Sequence, residues 1–328
     1  MSTPLIARTP HRLLPRLVER PWGGRRLAAL LAADLGARAD AAVGEAWLAG
    51  PEAALADQPE RDLAALAAEG GEAFVGSAPF ARYGARVPLL VKLLDAAEPL
   101  SVQVHPDDAY ALDVDAASGH LGKTEAWLVL DAEPGARVWW GWARPVDADE
   151  VRDAAQRGRL EPLLLECAVT AGDVVVNPAG TVHAVGAGTL IYELQQASDL
   201  TYRLYDYGRR DAQGRERELH LDKAMAVARL EPEPPPRAAR ALAPGRELLA
   251  ETEAFRLERW RLGGSAPARQ AWRVEPRSLE FWTVLEGRAT LHSEVGTLTL
   301  ERYQSAVLPA ALGAAAWSGA AELVRGSV

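Results

Sequence analysis

The segment SVQVHPDD, residues 101–108, alternates between polar and apolar side chains with a period of two residues. This period is typical of a short β-strand, in which successive side chains point to opposite faces of a sheet. One face then carries Ser101, Gln103 and His105, and the two valines point to the other face. The sequence leaves open at this point whether the polar face contacts water or lines a pocket.

Short runs rich in β-branched and aromatic residues lie on both sides of this segment, separated by Gly, Pro, Asp and Asn. They are VPLLVKLL (87–94), TEAWLVL (124–130), ARVWWGWA (136–143), GDVVVNP (172–178) and GTLIYELQQ (188–196), and later FRLERWRL (255–262) and SLEFWTVLEGRATLH (278–292). Many short strands separated by turns favour barrels or jelly rolls. The sequence therefore predicts a mainly β protein with two such units of unequal size.

Two stretches break this β pattern with helix-forming residues. Residues 25–70 are rich in Ala and Leu and predict helices packed around short extended pieces such as GEAWLAG (44–50). Residues 146–166 predict a helix inserted between strands.

The clearest linker is EPEPPPR, residues 231–237, because proline fixes φ and cannot donate a hydrogen bond to a β-ladder. It divides the chain into a predicted catalytic unit, 1–230, and a smaller β domain, 238–328. Within the second unit, Glu286-Gly287 is interpreted as a turn between short strands.

Composition and charge restrict the class of protein. The 328 residues are 48% hydrophobic and 25% charged, as in ordinary globular proteins, with a formal net charge of −9. An acidic chain is a poor match for nucleic acid or anionic membranes, and no apolar run approaches the roughly 20 residues of a membrane span. The Arg-rich start lacks the apolar core of a signal peptide, so we expect a cytoplasmic protein. The sequence carries no signal for an oligomeric state.

Cys167 is the only cysteine. An internal disulfide and thiolate-rich zinc sites are therefore excluded, and a metal would need nitrogen and oxygen ligands. A small buried apolar role suits this residue better than a catalytic one.

Two further polar groups accompany the opening segment. Lys123 and Glu125 share one strand face in LGKTEAWLVL, and NPAGTVHAV delivers His183 to the start of an extended segment that precedes Glu193 and Arg203. Each alone is compatible with a solvated strand surface. Together they place two of the six histidines on predicted barrel strands, with a carboxylate between them in sequence.

Two segments that resemble nucleotide-binding motifs lack a glycine that the motif requires. GHLGKT (119–124) has Ala117 where a P-loop needs its first glycine, and a strand rather than a helix is predicted to follow. GAG (186–188) has Ile191 at the position of the third glycine of a dinucleotide-binding loop.

If Gln103, His105, Glu125 and His183 converge in one barrel, they supply two imidazole nitrogens and two oxygens. This set suits Zn²⁺ and tolerates Mn²⁺, Co²⁺ or Fe²⁺. With a single charged ligand, the metal would keep Lewis acidity toward a group in an open coordination position, as catalytic metals do.

Taken in order, these blocks resemble the type I phosphomannose isomerases, in their short bacterial form. The resemblance is carried by PWGG (21–24), GEAW (44–47), PLLVKLLDAAEPLSVQVHPDDAYA (88–111), GKTEAW (122–127) and residues 177–209, which contain NPAGTVHAV and YELQQASDLTYRLYDYGR. It covers most of the first 220 residues. The C-terminal part is similar to the smaller cupin-like domain of the family only in its pattern of short strands separated by turns. PWGG departs slightly from the family, where an isoleucine or similar residue often precedes the tryptophan.

The resemblance implies a cupin-type jelly roll that interconverts mannose 6-phosphate and fructose 6-phosphate through a cis-enediol. It implies that Gln103, His105, Glu125 and His183 bind one divalent metal, usually zinc. Because the C-terminal unit has no His-x-His pair, we expect one metal site.

The resemblance also implies roles for residues around the metal. Arg203 matches the active-site arginine of the family, and Lys92 and Ser101 match positions that line the sugar-phosphate pocket. Lys123 and Glu193 are both candidates for the proton shuttle, and the sequence does not choose between them. Lys92, Lys123 and Arg203 would form the local positive cluster that holds the phosphorylated hexose in an acidic protein.

Two other functions compete with this interpretation. A ligand set of this kind on a β-barrel also suits a cupin oxygenase that uses Fe²⁺, or another cupin isomerase. A non-catalytic sugar-binding cupin is the alternative of a different class, but it has no physical need for an open metal position.

Overall fold

The computed structural model describes residues 4–31, 42–210, 214–233, 239–263 and 269–328. Within these ranges, six α-helices and twenty strands are present. The helices are α1 (Arg26–Leu30), α2 (Leu63–Val75), α3 (Ser77–Tyr83), α4 (Asp108–Asp113), α5 (Ala148–Gln156) and α6 (Leu221–Val227), with 3-10 turns at Leu5–Arg8, Ala116–Ser118 and Glu161–Leu163.

The strands confirm that the protein is mainly β. They are β1 (His11–Leu13), β2 (Arg16–Val18), β3 (Glu45–Ala49), β4 (Leu89–Ala96), β5 (Val102–Val104), β6 (Glu125–Ala132), β7 (Arg137–Trp142), β8 (Leu164–Ala168), β9 (Val174–Asn177), β10 (His183–Val185), β11 (Thr189–Gln196), β12 (Tyr202–Tyr205), β13 (Arg240–Ala243), β14 (Arg246–Glu251), β15 (Arg256–Leu262), β16 (Arg269–Arg273), β17 (Glu280–Ser293), β18 (Gly296–Glu301), β19 (Ser305–Leu308) and β20 (Ala314–Ser327). All their pairings are antiparallel.

Two sheets form a sandwich in the first part of the chain. One has six strands in the order β2-β3-β4-β11-β6-β9, and the other has five in the order β12-β5-β10-β7-β8. Leu94, Trp127 and Ile191 of the six-stranded sheet pack with Trp140 and Val185 of the five-stranded sheet, so the two sheets face each other across one interior. The functional side chains described below line the same interior.

Both outer faces of the sandwich are covered. Val102 and Val104 point out of the five-stranded sheet and pack against Val151 of α5 and Ala224 of α6. The outer face of the six-stranded sheet packs against α2 and a third sheet. Every residue of β4 and β11 is consequently buried, which explains why these strands lack a simple alternation of polar and apolar residues.

The third sheet contains nine strands in the order β1-β19-β17-β20-β15-β14-β13, with β16 paired to β20 and β18 to β17. Trp260, Trp282 and Trp317 fill its own core. Phe281 and Val324 on its other side belong to the core shared with the six-stranded sheet.

The division at residues 231–237 stays a prediction, and residues 234–237 of that linker lie outside the described residues. The third sheet contains strands from both predicted units, because β1, near the start of the chain, pairs with β19.

Local predictions met different outcomes. The inserted helix is confirmed as α5, whose N-cap Asp147 accepts a hydrogen bond from the Glu150 amide. The Ala/Leu-rich stretch contains α1, β3 and the start of α2, while residues 32–41 lie outside the described residues. The predicted turn at Glu286-Gly287 is wrong: β17 continues through it, and the register with β20 shifts between Val284 and Glu286. Gly287, with φ of 76°, follows this bulge directly and is the residue with left-handed backbone there.

Candidate active site

The polar face of residues 101–105 lines the interior of the sandwich. On the five-stranded sheet, Gln103 of β5 lies directly opposite His183 of β10 on one side and Arg203 of β12 on the other. Residues paired in this way project from the same face of a sheet. The question left open by the sequence is therefore answered: this face lines a pocket.

A second polar row faces it from the six-stranded sheet. Lys92 of β4 pairs with Trp47 of β3 and with Glu193 of β11, which in turn pairs with Trp127 of β6. Glu125 lies two residues before Trp127 and so projects from the same face. The two rows bring together side chains that are more than 100 residues apart in sequence.

His105, Glu125 and His183 meet at the buried end of this interior. Each is only 1% exposed. The Nε2 atoms of His105 and His183 lie 3.3 Å from Oε1 and Oε2 of Glu125, respectively. The Gln103 amide is adjacent, with Nε2 3.5 Å from His105 Nε2 and 3.4 Å from His183 Nε2.

The outer nitrogens of both imidazoles are already occupied. His105 Nδ1 donates to the Leu200 carbonyl at 2.7 Å, and His183 Nδ1 donates to the Thr181 carbonyl at 2.9 Å. In each neutral ring this leaves the Nε2 lone pair directed into the cluster, as metal ligation requires. Burial, and then the charge of Lys123, lower the pKa of His105 to about 3, which favours the neutral ring.

These donors fit a divalent metal. Four ligands arranged tetrahedrally at roughly 2.0–2.2 Å from zinc lie about 3.3–3.6 Å from one another, which matches the separations above. Both Glu125 oxygens are buried without a hydrogen bond of regular geometry, although Lys123 Nζ lies 2.7 Å from Oε1. Rotation of the Gln103 amide by 180° presents Oε1 instead of Nε2 to the cluster. The cluster of His105, Glu125 and His183 could thus hold a divalent ion.

Two further ionisable groups adjoin the cluster. Lys123 Nζ contacts Glu125 and lies 3.4 Å from His105 Nε2. Burial alone would lower the pKa of Lys123, but the carboxylates of Glu125 and Glu193 outweigh it and the pKa is raised. Burial, and then the Glu125 charge, raise the pKa of Glu193 to about 8. Trp127 Nε1 donates to Glu193 Oε1 at 3.4 Å.

The cluster opens into a cavity of about 210 Å³. All nine residues singled out from the sequence lie in or beside it: Gln103, Glu125, Lys92, Ser101, Lys123, Glu193 and Arg203 line it, and His105 and His183 contact Glu125. Arg203 Nε donates to Ser101 Oγ at 3.3 Å, and Lys92 Nζ lies 3.8 Å from Glu45 Oε2 and over the Trp47 ring.

Comparison with known proteins identifies the family of the chain. The family model for phosphomannose isomerase type I, catalytic domain, matches residues 11–125. Mannose-6-phosphate isomerase ManA of Bacillus subtilis (strain 168) is 38% identical over 245 residues, which are 74% of this chain and 75% of that protein. The chain belongs to the type I phosphomannose isomerase family.

Solved structures agree with this assignment. The crystal structure of mannose 6-phosphate isomerase from Bacillus subtilis superposes with a TM-score of 0.81 at 31% identity, covering 98% of this chain and 100% of that chain. The expected cupin-type jelly roll is thereby confirmed. A zinc-bound mannose 6-phosphate isomerase, 17% identical, has a TM-score of 0.73 over 97% of this chain and 98% of its own and supports the fold alone. None of the described helices of this isomerase is long and apolar enough to cross a membrane.

Sequence reasoning missed several ionisable residues that line the cavity of this isomerase. They are Arg20, Glu45, Asp199, Arg217 and His220. Glu45 lies in the GEAW block that carries the family resemblance, but the sequence does not show that its carboxylate binds Arg20 and Trp47. Arg20 Nε and Trp47 Nε1 both donate to the Glu45 carboxylate at 2.7 Å.

Neither rejected motif forms a nucleotide-binding loop, although Lys123 of GHLGKT lines the cavity. Residues 119–124 lead into strand β6 and not into a helix, so GHLGKT lacks the helix N-terminus of a P-loop. Cys167 lies on β8, packed against the sandwich interior and partly buried, and burial raises the pKa of its thiol.

Proposed function

We propose that this member of the family interconverts mannose 6-phosphate and fructose 6-phosphate through a cis-enediol intermediate. The observation that carries the proposal is the buried cluster of His105, Glu125 and His183 at the end of a cavity lined by Lys123, Glu193 and Arg203. Family membership does not favour an iron-dependent oxygenase or a non-catalytic sugar-binding module.

Zinc is the proposed metal, held by Gln103, His105, Glu125 and His183. The donor set supports this choice, as does the zinc in a structural relative of the same fold. When bound, the ion supplies Lewis acidity toward the carbonyl and hydroxyl oxygens of the sugar.

The surrounding side chains orient the sugar and move protons. Ser101 and Lys92 line the cavity and are proposed to contact the substrate. Arg203 donates hydrogen bonds to oxygens that gain negative charge as the enediol forms. Either Lys123 or Glu193 is proposed to shuttle the proton between C1 and C2, since both lie at the buried end of the cavity beside the metal ligands. A cytoplasmic location stays a prediction.

A coupled isomerase assay with and without a chelator tests the function. We expect turnover of mannose 6-phosphate that falls at least about a hundredfold after chelation and returns with stoichiometric Zn²⁺. Metal analysis of the purified protein, run in parallel, should find about one equivalent. Undiminished turnover in protein shown to be metal-free would contradict the role of the metal, and no turnover in the metal-loaded protein would contradict the isomerase activity.

A further inference from the structure

Three arginines from distant parts of the sequence line the same cavity. Arg20 follows β2, an edge strand of the six-stranded sheet, and Arg203 lies on β12, an edge strand of the five-stranded sheet. Arg217 comes from the segment that precedes α6. The cavity therefore extends from the buried metal ligands to the edges of both sheets, where these guanidinium groups lie.

Two of these arginines are held in place by buried carboxylates. Arg20 donates through Nε and Nη2 to Glu45 at 2.7 and 3.2 Å, and Arg217 donates through Nε and Nη2 to Asp206, at 2.6 Å for Nε. Among the described residues, neither Arg20 Nη1 nor Arg217 Nη1 has a hydrogen-bond partner. Each guanidinium is thus fixed by one edge and keeps an Nη1 group for a ligand, which lowers the entropy lost on binding.

The third arginine is held in place as well, but by neutral groups. Arg203 donates through Nε to Ser101 Oγ and through Nη1 to the Glu218 carbonyl at 3.0 Å. No carboxylate of the described residues lies within salt-bridge distance of it. Burial and the nearby charge of Arg217 lower the pKa of Arg203, as expected for cations held together without sufficient counter-charge.

The buried carboxylates do not neutralise this end of the cavity. Glu45 faces Lys92 as well as Arg20, and Asp206 faces Arg209, at 3.6 Å, as well as Arg217. Each carboxylate therefore faces two cations and leaves one positive charge uncompensated. Asp199, the exposed carboxylate that also lines the cavity, offsets part of this charge. The opposite end holds Glu125 and Glu193 around the metal ligands.

Solvent exposure also increases from the metal ligands toward the arginines. The side chains of Arg20 and Arg217 are 30% and 29% exposed, whereas those of Lys123 and Glu125 are 5% and 1% exposed. A phosphate dianion is strongly hydrated, and its burial is costly unless several donors replace the water. In a hexose 6-phosphate, the phosphate lies at the far end of the carbon chain from C1 and C2. When C1 and C2 lie beside the metal ligands, the phosphate reaches the solvent-exposed, positively charged end of the cavity.

We propose that Arg20 and Arg217 form the subsite that binds the phosphate of the substrate, beside Arg203, whose hydrogen bonds are left to the enediol oxygens. The identity of the ligand rests on the proposed function. This subsite differs from the cluster of Lys92, Lys123 and Arg203 expected from the sequence, because both lysines are buried and lie close to carboxylates.

Kinetics of R20Q and R217Q test the subsite. Each variant should raise the KM for mannose 6-phosphate, and the inhibition constant of inorganic phosphate, by at least about tenfold (about 1.4 kcal/mol), with kcat within about twofold of wild type. R137Q is the matched control, because Arg137 makes a 3.0 Å ion pair with Glu166 on the exposed surface and does not line the cavity. If R217Q fails to fold, R217K keeps the charge, and R20Q tests the other side of the subsite.

The thermal shift caused by inorganic phosphate provides a readout without turnover. Phosphate should raise the Tm of the wild type and of R137Q, and raise it less in R20Q and R217Q. Equal shifts in all four proteins, or a KM and inhibition constant that respond to K92Q alone, would overturn the subsite. If the wild type does not convert mannose 6-phosphate but the phosphate shift still depends on Arg20 and Arg217, the anion subsite stands and the isomerase proposal fails.

Discussion

Glu193 and Lys123 share the buried end of the cavity, but their hydrogen bonds suggest different roles. The Lys123 ammonium lies within donating distance of Glu125 Oε1, at 2.7 Å, and of His105 Nε2, at 3.4 Å. Glu193 accepts a hydrogen bond from Trp127 Nε1, and its pKa, raised by burial and by the Glu125 charge to about 8, makes its ionised form a stronger base than an ordinary carboxylate. A group that donates suits a developing oxyanion, whereas a carboxylate directed into the cavity suits abstraction of a proton from carbon.

We therefore expect E193Q to lose exchange of the C2 proton of mannose 6-phosphate by at least about a hundredfold, because Gln cannot accept that proton. K123Q should slow turnover while exchange remains measurable. NMR in D₂O follows the exchange directly. E166Q, which changes an exposed glutamate outside the cavity, is the control for adding an amide. Loss of exchange in K123Q alone would assign the base to Lys123, and exchange preserved in both variants would contradict both assignments.

The sequence supplied some of these residues and not others for a physical reason. Gln103 and His105 were found because strand periodicity places them on one face, and Glu125 and His183 were found because their residue types suit a metal. Arg20 and Arg217 are two of the 36 basic residues in the chain, and neither belongs to a periodic pattern or a motif of its own. Only the pairing of the sheets shows that they lie beside Arg203.

At the level of elements, alternation and turn residues predicted most strands but misjudged Gly287. A Glu-Gly pair between apolar runs is typical of a turn, yet here the glycine lies inside the 14-residue strand β17, directly after a bulge. A Cβ atom at this position would lie 2.1 Å from the Ala320 carbonyl oxygen. Local sequence reports that a glycine is required but does not distinguish a turn from a bulge against a neighbouring strand.

This close approach predicts that G287A destabilises the protein strongly. The left-handed φ costs an alanine roughly 1–2 kcal/mol, and the clash with Ala320 adds to it, so we expect the free energy of unfolding to fall by more than about 2 kcal/mol. G135A is the matched control, because Gly135 has a similar φ of 85° but nothing within 4 Å of the added Cβ, and should cost about 1 kcal/mol. Urea unfolding measures both. Equal losses in the two variants would show that the Ala320 contact relaxes without cost.

At the scale of the whole molecule, the sequence predicted the class of fold but not which distant strands pair. β1 pairs with β19, almost 300 residues later, and the core of the third sheet continues into that of the six-stranded sheet. Neither contact has a local signature, because hydrophobic patterning shows which face is buried and not what covers it.

The candidate metal site joins the two sheets of the sandwich, which gives it a structural consequence besides catalysis. Glu125 belongs to β6 of the six-stranded sheet, whereas His183 belongs to β10 and His105 directly follows β5 of the five-stranded sheet. An ion bound by all three would add a link between sheets that also meet through side-chain packing and through the hydrogen bond from Trp140 Nε1 to the Val176 carbonyl.

Chelation should therefore lower the Tm of the whole protein, by roughly 5 °C or more relative to protein with free Zn²⁺ a thousandfold above its dissociation constant. In the metal-free protein the buried Glu125 carboxylate keeps the Lys123 ammonium, 2.7 Å from Oε1, but lacks the ion that would join it to both imidazoles. H183N should remove the difference between chelated and zinc-loaded samples, because the cluster loses one of its buried donors. H292N should keep the full difference, since His292 lies on β17 of the third sheet and bonds Ser318 at 2.8 Å. Differential scanning calorimetry compares the three proteins, each chelated and zinc-loaded. A wild-type Tm that does not change with zinc, in protein shown to bind the ion, would mean that binding contributes nothing to holding the two sheets together.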